Sequence, residues 1–194
     1  SHKRMGSLLN LIPLKVPSSL GVRCFVFPEE SSSAYVQLTP MKPLNLQAFT
    51  LCMRVATQIW YKREIILFAY RTQGADELNV WREKNGRLSL YLRSTLPTHL
   101  CVTWDRALET PHLGGRTPQH ADHLQACFVG EITDVHMFDS VLRECQIEQL
   151  YAKQYNAPSG NVLNWDFLKY KIHGNVVERY TYQEYSKKVS DTCK

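Results

Sequence analysis

Residues 98–106 read THLCVTWDR. Leu100, Val102 and Trp104 alternate with His99, Cys101 and Thr103, the period-two pattern of a strand with one covered face. The spacing leaves two chemistries open. His99 and Cys101 share a strand face and are a candidate reactive pair or metal clip, or Cys101 is one half of a staple between strands. Upstream, AFTLCMRVAT (48–57) alternates in the same way, with Phe49, Leu51, Met53 and Val55 opposite Thr50, Cys52 and Arg54. That pattern predicts a half-buried strand. In neighbouring strands the sulfurs of Cys52 and Cys101 would lie within disulfide reach. Closing the 48 residues between them would stabilise the fold by about 4 kcal/mol in the chain-entropy picture.

The rest of the chain supplies more short strands. AYVQL (34–38) alternates, and EIILFAY (64–70) is apolar on both faces, with the β-branched and aromatic content of a strand covered on both sides. ELNVW and RLSLYL flank Lys84-Asn85-Gly86, and Asn-Gly is the strongest short hairpin signal, so 77–92 is expected to be a hairpin. CFVGEITDVHMFD (127–139) is an imperfect strand that Gly130 is expected to bend. In DSVLRECQIEQLY (139–151) the period becomes helical through Leu142, Cys145, Gln149 and Leu150, with Asp139 or Ser140 as the cap. NVLNWDFLKYKIHGNVVE (161–178) returns to extended character around a turn at Gly174. These elements predict an all-β sandwich, mostly antiparallel, with one helix.

With 194 residues and 44% hydrophobic content, the chain can bury one sizeable core. It has no apolar run of the length a membrane span needs. The formal net charge is +5, but residues 1–23 carry +4 of it and 174–194 carry +1. The body is therefore neutral and gives no electrostatic support to nucleic-acid binding. MGSLLNLIPLKV (5–16) has a basic flank and an apolar stretch that Pro13 and Lys15 interrupt. Residues 1–23 are thus expected to be leader-like or disordered, 24–178 to form the domain, and 179–194 to be a polar tail.

The six cysteines include no C-x-x-C pair, which removes the usual zinc-ribbon and thioredoxin-like signatures. Cys24 and Cys193 flank the domain and could pair with each other or between subunits; Cys145 is expected on the buried side of the helix. His120 and His123, with His112 and His136, suggest an alternative zinc site and a metalloenzyme. Pro118 and Gly114-Gly115 favour a loop of solvated histidines instead. Catalysis by Cys101 or Cys127 lacks an orienting acid, and no enzyme is expected.

Taken together and in order, FVFPEESSSAYVQL, AFTLCM, HLCVTW, VGEITDVHMFD and NVLNWDFLKYKIHGNV resemble the short pentraxin family. The family signature, His-x-Cys-x-Ser/Thr-Trp-x-Ser/Thr, is matched at His99, Cys101, Thr103 and Trp104 and departs at Arg106. The resemblance implies a jelly-roll, lectin-like sandwich of two antiparallel sheets with one helix on one face. It also implies secretion, an innate-immune recognition role and a cyclic homo-oligomer, a pentamer by family default with a trimer as the alternative. Ca2+-dependent binding of phosphocholine or other phosphate-bearing ligands on the face opposite the helix would follow, together with complement or receptor contacts. Cys52 and Cys101 match the family's intrachain disulfide, which answers the question about His99-x-Cys101 in favour of a stapled strand.

The departures bear on ligand binding. Only RSTLP separates the segments LSLYL and THLCVTW, and 25 residues separate Trp104 from Gly130, both shorter than the family pattern. Calcium takes six to eight oxygen ligands. The loop TQGADEL offers Asp76 and Glu77, and GGRTPQHADHLQAC offers Gln119, Asp122 and Gln125. The expectation is one weakened calcium site built from Asp76, Glu77, Asp122 and Gln125. The apolar pocket for the choline methyl groups would map to Val80 and Leu90. A ligand-free member that acts through assembly alone is the alternative.

Overall fold

In this computed structural model, residues 22–44, 46–57, 64–72, 75–93, 98–105, 128–181 and Cys193 are described. The strands among them, in chain order, are β1 (Val22–Phe27), β2 (Tyr35–Thr39), β3 (Phe49–Ala56), β4 (Ile65–Thr72), β5 (Ala75–Arg82), β6 (Leu88–Leu92), β7 (Thr98–Asp105), β8 (Gly130–Phe138), β9 (Lys169–His173) and β10 (Val177–Thr181). The helix α1 (Glu144–Tyr151) follows β8. β1 begins before residue 24 and β10 continues past residue 178, so the sheet crosses both expected limits of the domain.

Three sheets form in the orders β10-β1-β8-β3-β7, β2-β9 and β4-β5-β6. Every pairing is antiparallel except β3 with β7. A parallel neighbour needs a long crossover, and the β4-β5-β6 meander between β3 and β7 provides it. Phe49, Leu51, Met53 and Val55 of β3 are buried in the core, with Phe25, Val26, Ile65, Val80 and Met137 among their partners in the cluster. Phe25 meets Tyr170 edge-on with ring centroids 4.8 Å apart, so β1 and β9 face each other from opposite layers.

The expectation of a half-buried β3 is corrected. Thr50 and Cys52 are buried as well, because α1 and its lead-in cover the other face. Thr50 Oγ1 donates to the Ser140 carbonyl at 2.9 Å and accepts from Leu142 N–H at 2.9 Å. Arg54 Nη2 donates to the carbonyls of Leu150, at 3.0 Å, and Tyr151. The helix also starts later than its periodicity suggests. Asp139 bonds to Lys42 and Asn161, the Ser140 carbonyl is taken by Thr50, and Arg143 is the residue at the N-cap. There the Gln146 side chain accepts from Arg143 N–H at 3.0 Å.

The β5–β6 hairpin forms at Asn85-Gly86 as expected. Gly86 has φ +85°, in the left-handed region open to glycine, and Asn85 Oδ1 accepts from Arg87 N–H at 3.0 Å. Gly130 is required by close approach: a Cβ there would lie 2.0 Å from the Ala56 carbonyl oxygen.

Candidate functional site

The turn expected to bind cations sits at the start of β5. Arg71 and Asp76 are cross-strand partners in the β4–β5 ladder, and their side chains form an ion pair. Glu77 is the extra residue of a β-bulge, where the register shifts between Tyr70 and Arg71. It accepts from Thr72 Oγ1 at 2.8 Å and from Arg93 Nη1 at 2.9 Å. Arg93 N–H also donates to the Glu77 carbonyl at 3.1 Å. The Thr72 hydroxyl and then the Arg93 guanidinium hold the Glu77 carboxyl below its usual range.

Each of these two carboxylates is already neutralised by an arginine, which weakens them as calcium ligands. Asp122 and Gln125, the other expected ligands, lie outside the described residues, as do Gln119, His112, His120 and His123. Among the described residues no three His, Cys, Asp or Glu side chains converge on a point. His136 is on β8 beside Cys52, with Nδ1 accepting from Gly160 N–H at 3.4 Å. Burial lowers its pKa.

Val80 and Leu90 are cross-strand partners, as the hairpin requires. Val80, however, is fully buried, and Leu90 packs half-buried against the same core. With its side chain closed off from solvent, Val80 holds up the sheet and offers no contact to a choline group. A cavity of about 520 Å³ lies between the layers, lined by residues including Phe25, Met53, Phe68, Trp165 and Arg71. The described residues that line it include no carboxylate.

Cys52 and Cys101 stand directly opposite each other in the β3–β7 register, as thiols. Cys52 donates to Cys101, which with burial raises the Cys52 pKa; the same bond, assisted by Arg54, lowers that of Cys101. A disulfide joins Cys145 to Cys193, with Cα atoms 5.6 Å apart. The partner of Cys193, which the sequence left open between Cys24 and another subunit, is thus Cys145 on the helix. Cys24 is a buried thiol near the Glu131 carboxylate at 3.8 Å. Burial, then Glu131, pushes its pKa up to about 12.

Sequence reasoning missed Arg71 and Arg93. Glu77 and Arg93 are 16 positions apart, and only the hairpin fold-back joins them. It also missed the outer face of β2 and β9, although a signal was present in the alternation of YVQLT and KYKIH.

The profile of the Pentaxin family matches residues 23–113 and 117–179. C-reactive protein from Danio rerio is 39% identical, over 82% of this chain and 89% of that protein. Serum amyloid P-component from Homo sapiens is 33% identical, over 88% of this chain and 92% of that protein. The Pentraxin fusion protein of Xenopus laevis is 31% identical, over 86% of this chain but 50% of its own length.

Proposed function

The chain belongs to the Pentaxin family, and on that premise we propose that it is a secreted, cyclic homo-oligomeric protein that binds phosphate-bearing ligands of the phosphocholine type. Pentraxins are innate-immune pattern-recognition proteins and not enzymes, and this chain shares that coarse role. The observation that carries the ligand class is the 39% identity to a C-reactive protein over nearly all of its length. Secretion is supported by kinship with serum proteins. No helix among the described residues is long and apolar enough to cross a membrane.

Pentraxins generally bind calcium. In this chain Arg71 and Arg93 supply positive charge to the Asp76–Glu77 turn, so recognition depends on calcium less than the family pattern implies. In an oxidising extracellular space Cys52 and Cys101, already opposed in register, close to a disulfide. The neutralised turn favours one second reading, a ligand-free member acting through assembly alone.

The test is retention on phosphocholine-bearing beads, with elution by free phosphocholine, in calcium and in EDTA. Retention in both supports the reading. Absence of retention in both overturns it in favour of the ligand-free member.

A further inference from the structure

The inner face of the β2–β9 ribbon, formed by Val36, Leu38, Tyr170 and Ile172, packs against the core. Its other face points away from α1, because β9 and β1 oppose each other across the core while α1 covers the far side of the β1 sheet. On that outer face Tyr35 pairs with His173, Gln37 with Lys171 and Thr39 with Lys169. Gln37, Thr39, Lys169 and Lys171 are exposed. None of the six is an acid.

Two residues beyond the last pair on each strand come Met41 and Phe167, which are 53% and 76% exposed. Both are held firmly. Met41 N–H donates to the Val162 carbonyl at 2.9 Å. Phe167 ends a 3-10 turn (Trp165–Phe167) anchored by buried Trp165, in which Asn164 Oδ1 accepts from Asp166 N–H at 3.2 Å. The same end of the ribbon is thus flanked by two exposed apolar side chains, and Lys169 and then Lys171 follow along β9. The nearby acids are Asp166, exposed beside Phe167, and Asp139, already paired with Lys42.

We propose that this ribbon end contacts an anionic phospholipid surface, with Met41 and Phe167 entering the headgroup–acyl boundary and Lys169 and Lys171 meeting lipid phosphates. Successive residues on one strand face lie roughly 7 Å apart. Apolar groups of interfacial elements sit about 5–10 Å deep, so an inserted Phe167 brings Lys169 near phosphate level and leaves Lys171 roughly 7 Å farther out along the strand. A twofold contact with a second copy would instead set Lys169 and Lys171 against the same lysines, at a like-charge cost. This inference rests on the phosphate-ligand reading but adds a second surface that uses no calcium.

The test is co-sedimentation of the full chain, in EDTA, with vesicles of equal parts phosphatidylserine and phosphatidylcholine, against pure phosphatidylcholine. Binding only to the anionic vesicles, weakening with salt, is expected. Lys169→Gln with Lys171→Gln should lower it roughly thirtyfold at about 1 kcal/mol per lysine. Met41→Ser with Phe167→Ser should lower it at least about tenfold. All four positions are exposed, so both variants should melt like the parent and keep its retention on phosphocholine beads. Failure of bead retention with vesicle binding intact would therefore sink the phosphate-ligand reading alone. No sedimentation of the parent, or equal sedimentation of all three proteins, overturns the membrane site. Loss of self-association in the Met41/Phe167 variant without any vesicle binding also overturns it, assigning the face to a second copy.

Discussion

Asp134 and Lys153, the non-glycine residues with positive φ among those described, at 53° and 48°, are ion-paired to each other at 2.5 Å. Arg54 Nε reaches the same carboxylate oxygen at 2.8 Å. Asp134 lies at a bulge where two residues of β8 oppose Met53 alone. Lys153 lies one residue past the C-cap of α1. Two locally unfavourable backbone conformations are thus tied together, and the tie fastens the helix to the sheet. Arg54 adds to it by donating to the last helix carbonyls, where a cation complements the helix dipole.

Removing the shared anion leaves Arg54 and Lys153 half-buried and facing each other. Asp134→Ala is therefore expected to destabilise the fold by about 3 kcal/mol. Lys153→Gly, which loses the pair but relieves the backbone, should cost less than Lys153→Ala. Denaturant titration of the three variants checks the order, and equal losses for the two Lys153 variants would remove backbone strain from the explanation.

His136 makes stability depend on pH. Its folded-state pKa is lowered, by burial first and also by Lys153, against opposing pulls from Asp166 and Asp134. The unfolded chain therefore takes up a proton before the fold does, so stability is full above the ordinary histidine value, near 6.5, and falls as pH drops below it. His136→Phe should flatten that part of the profile. An unchanged profile would place the acid sensitivity elsewhere.

Five of the cysteines should separate into two kinds under peptide mapping of the native protein. Cys145–Cys193 and Cys52–Cys101 are expected as disulfides, each worth about 4 kcal/mol in the chain-entropy picture. Cys24, with its thiol buried and its pKa near 12, should resist alkylation until denaturant is added. Rapid native alkylation of Cys52 or Cys101 would contradict the second bond.

Releasing the acidic turn should change its affinity for metal. Arg71→Gln with Arg93→Gln removes both internal cations from Asp76 and Glu77 and is expected to strengthen calcium binding over the parent, seen as a larger calcium-induced rise in melting temperature. No difference between the two proteins would show that the arginines are not what keeps calcium from the turn.

Most of the strands were legible because alternation is local: Phe49, Leu51, Met53 and Val55 declare a buried face by spacing alone, and Asn85-Gly86 declares its turn. The contacts that decide function are not local. The cover over Thr50 comes from residues about 90 positions away, which is why β3 reads as half-exposed. The parallel register of β3 with β7 depends on the route of the meander between them, and the Cys145–Cys193 bond on tertiary proximity. At the candidate site, Asp76 and Glu77 read as metal ligands by residue type; their neutralisation by Arg71 and Arg93 requires strand register and a hairpin. That Met41 and Phe167 flank the same end of the ribbon follows only once Thr39 is known to pair with Lys169.

Calorimetric titration of the parent protein and of Asp76→Ala with phosphocholine, in calcium and then in EDTA, tests the central claim most directly. Saturable phosphocholine binding is expected that weakens by less than about tenfold on chelation, a difference of under about 1.4 kcal/mol, and that is the same in Asp76→Ala. Binding abolished both by EDTA and by Asp76→Ala would contradict it, because a calcium ion held at this turn would then be required for recognition.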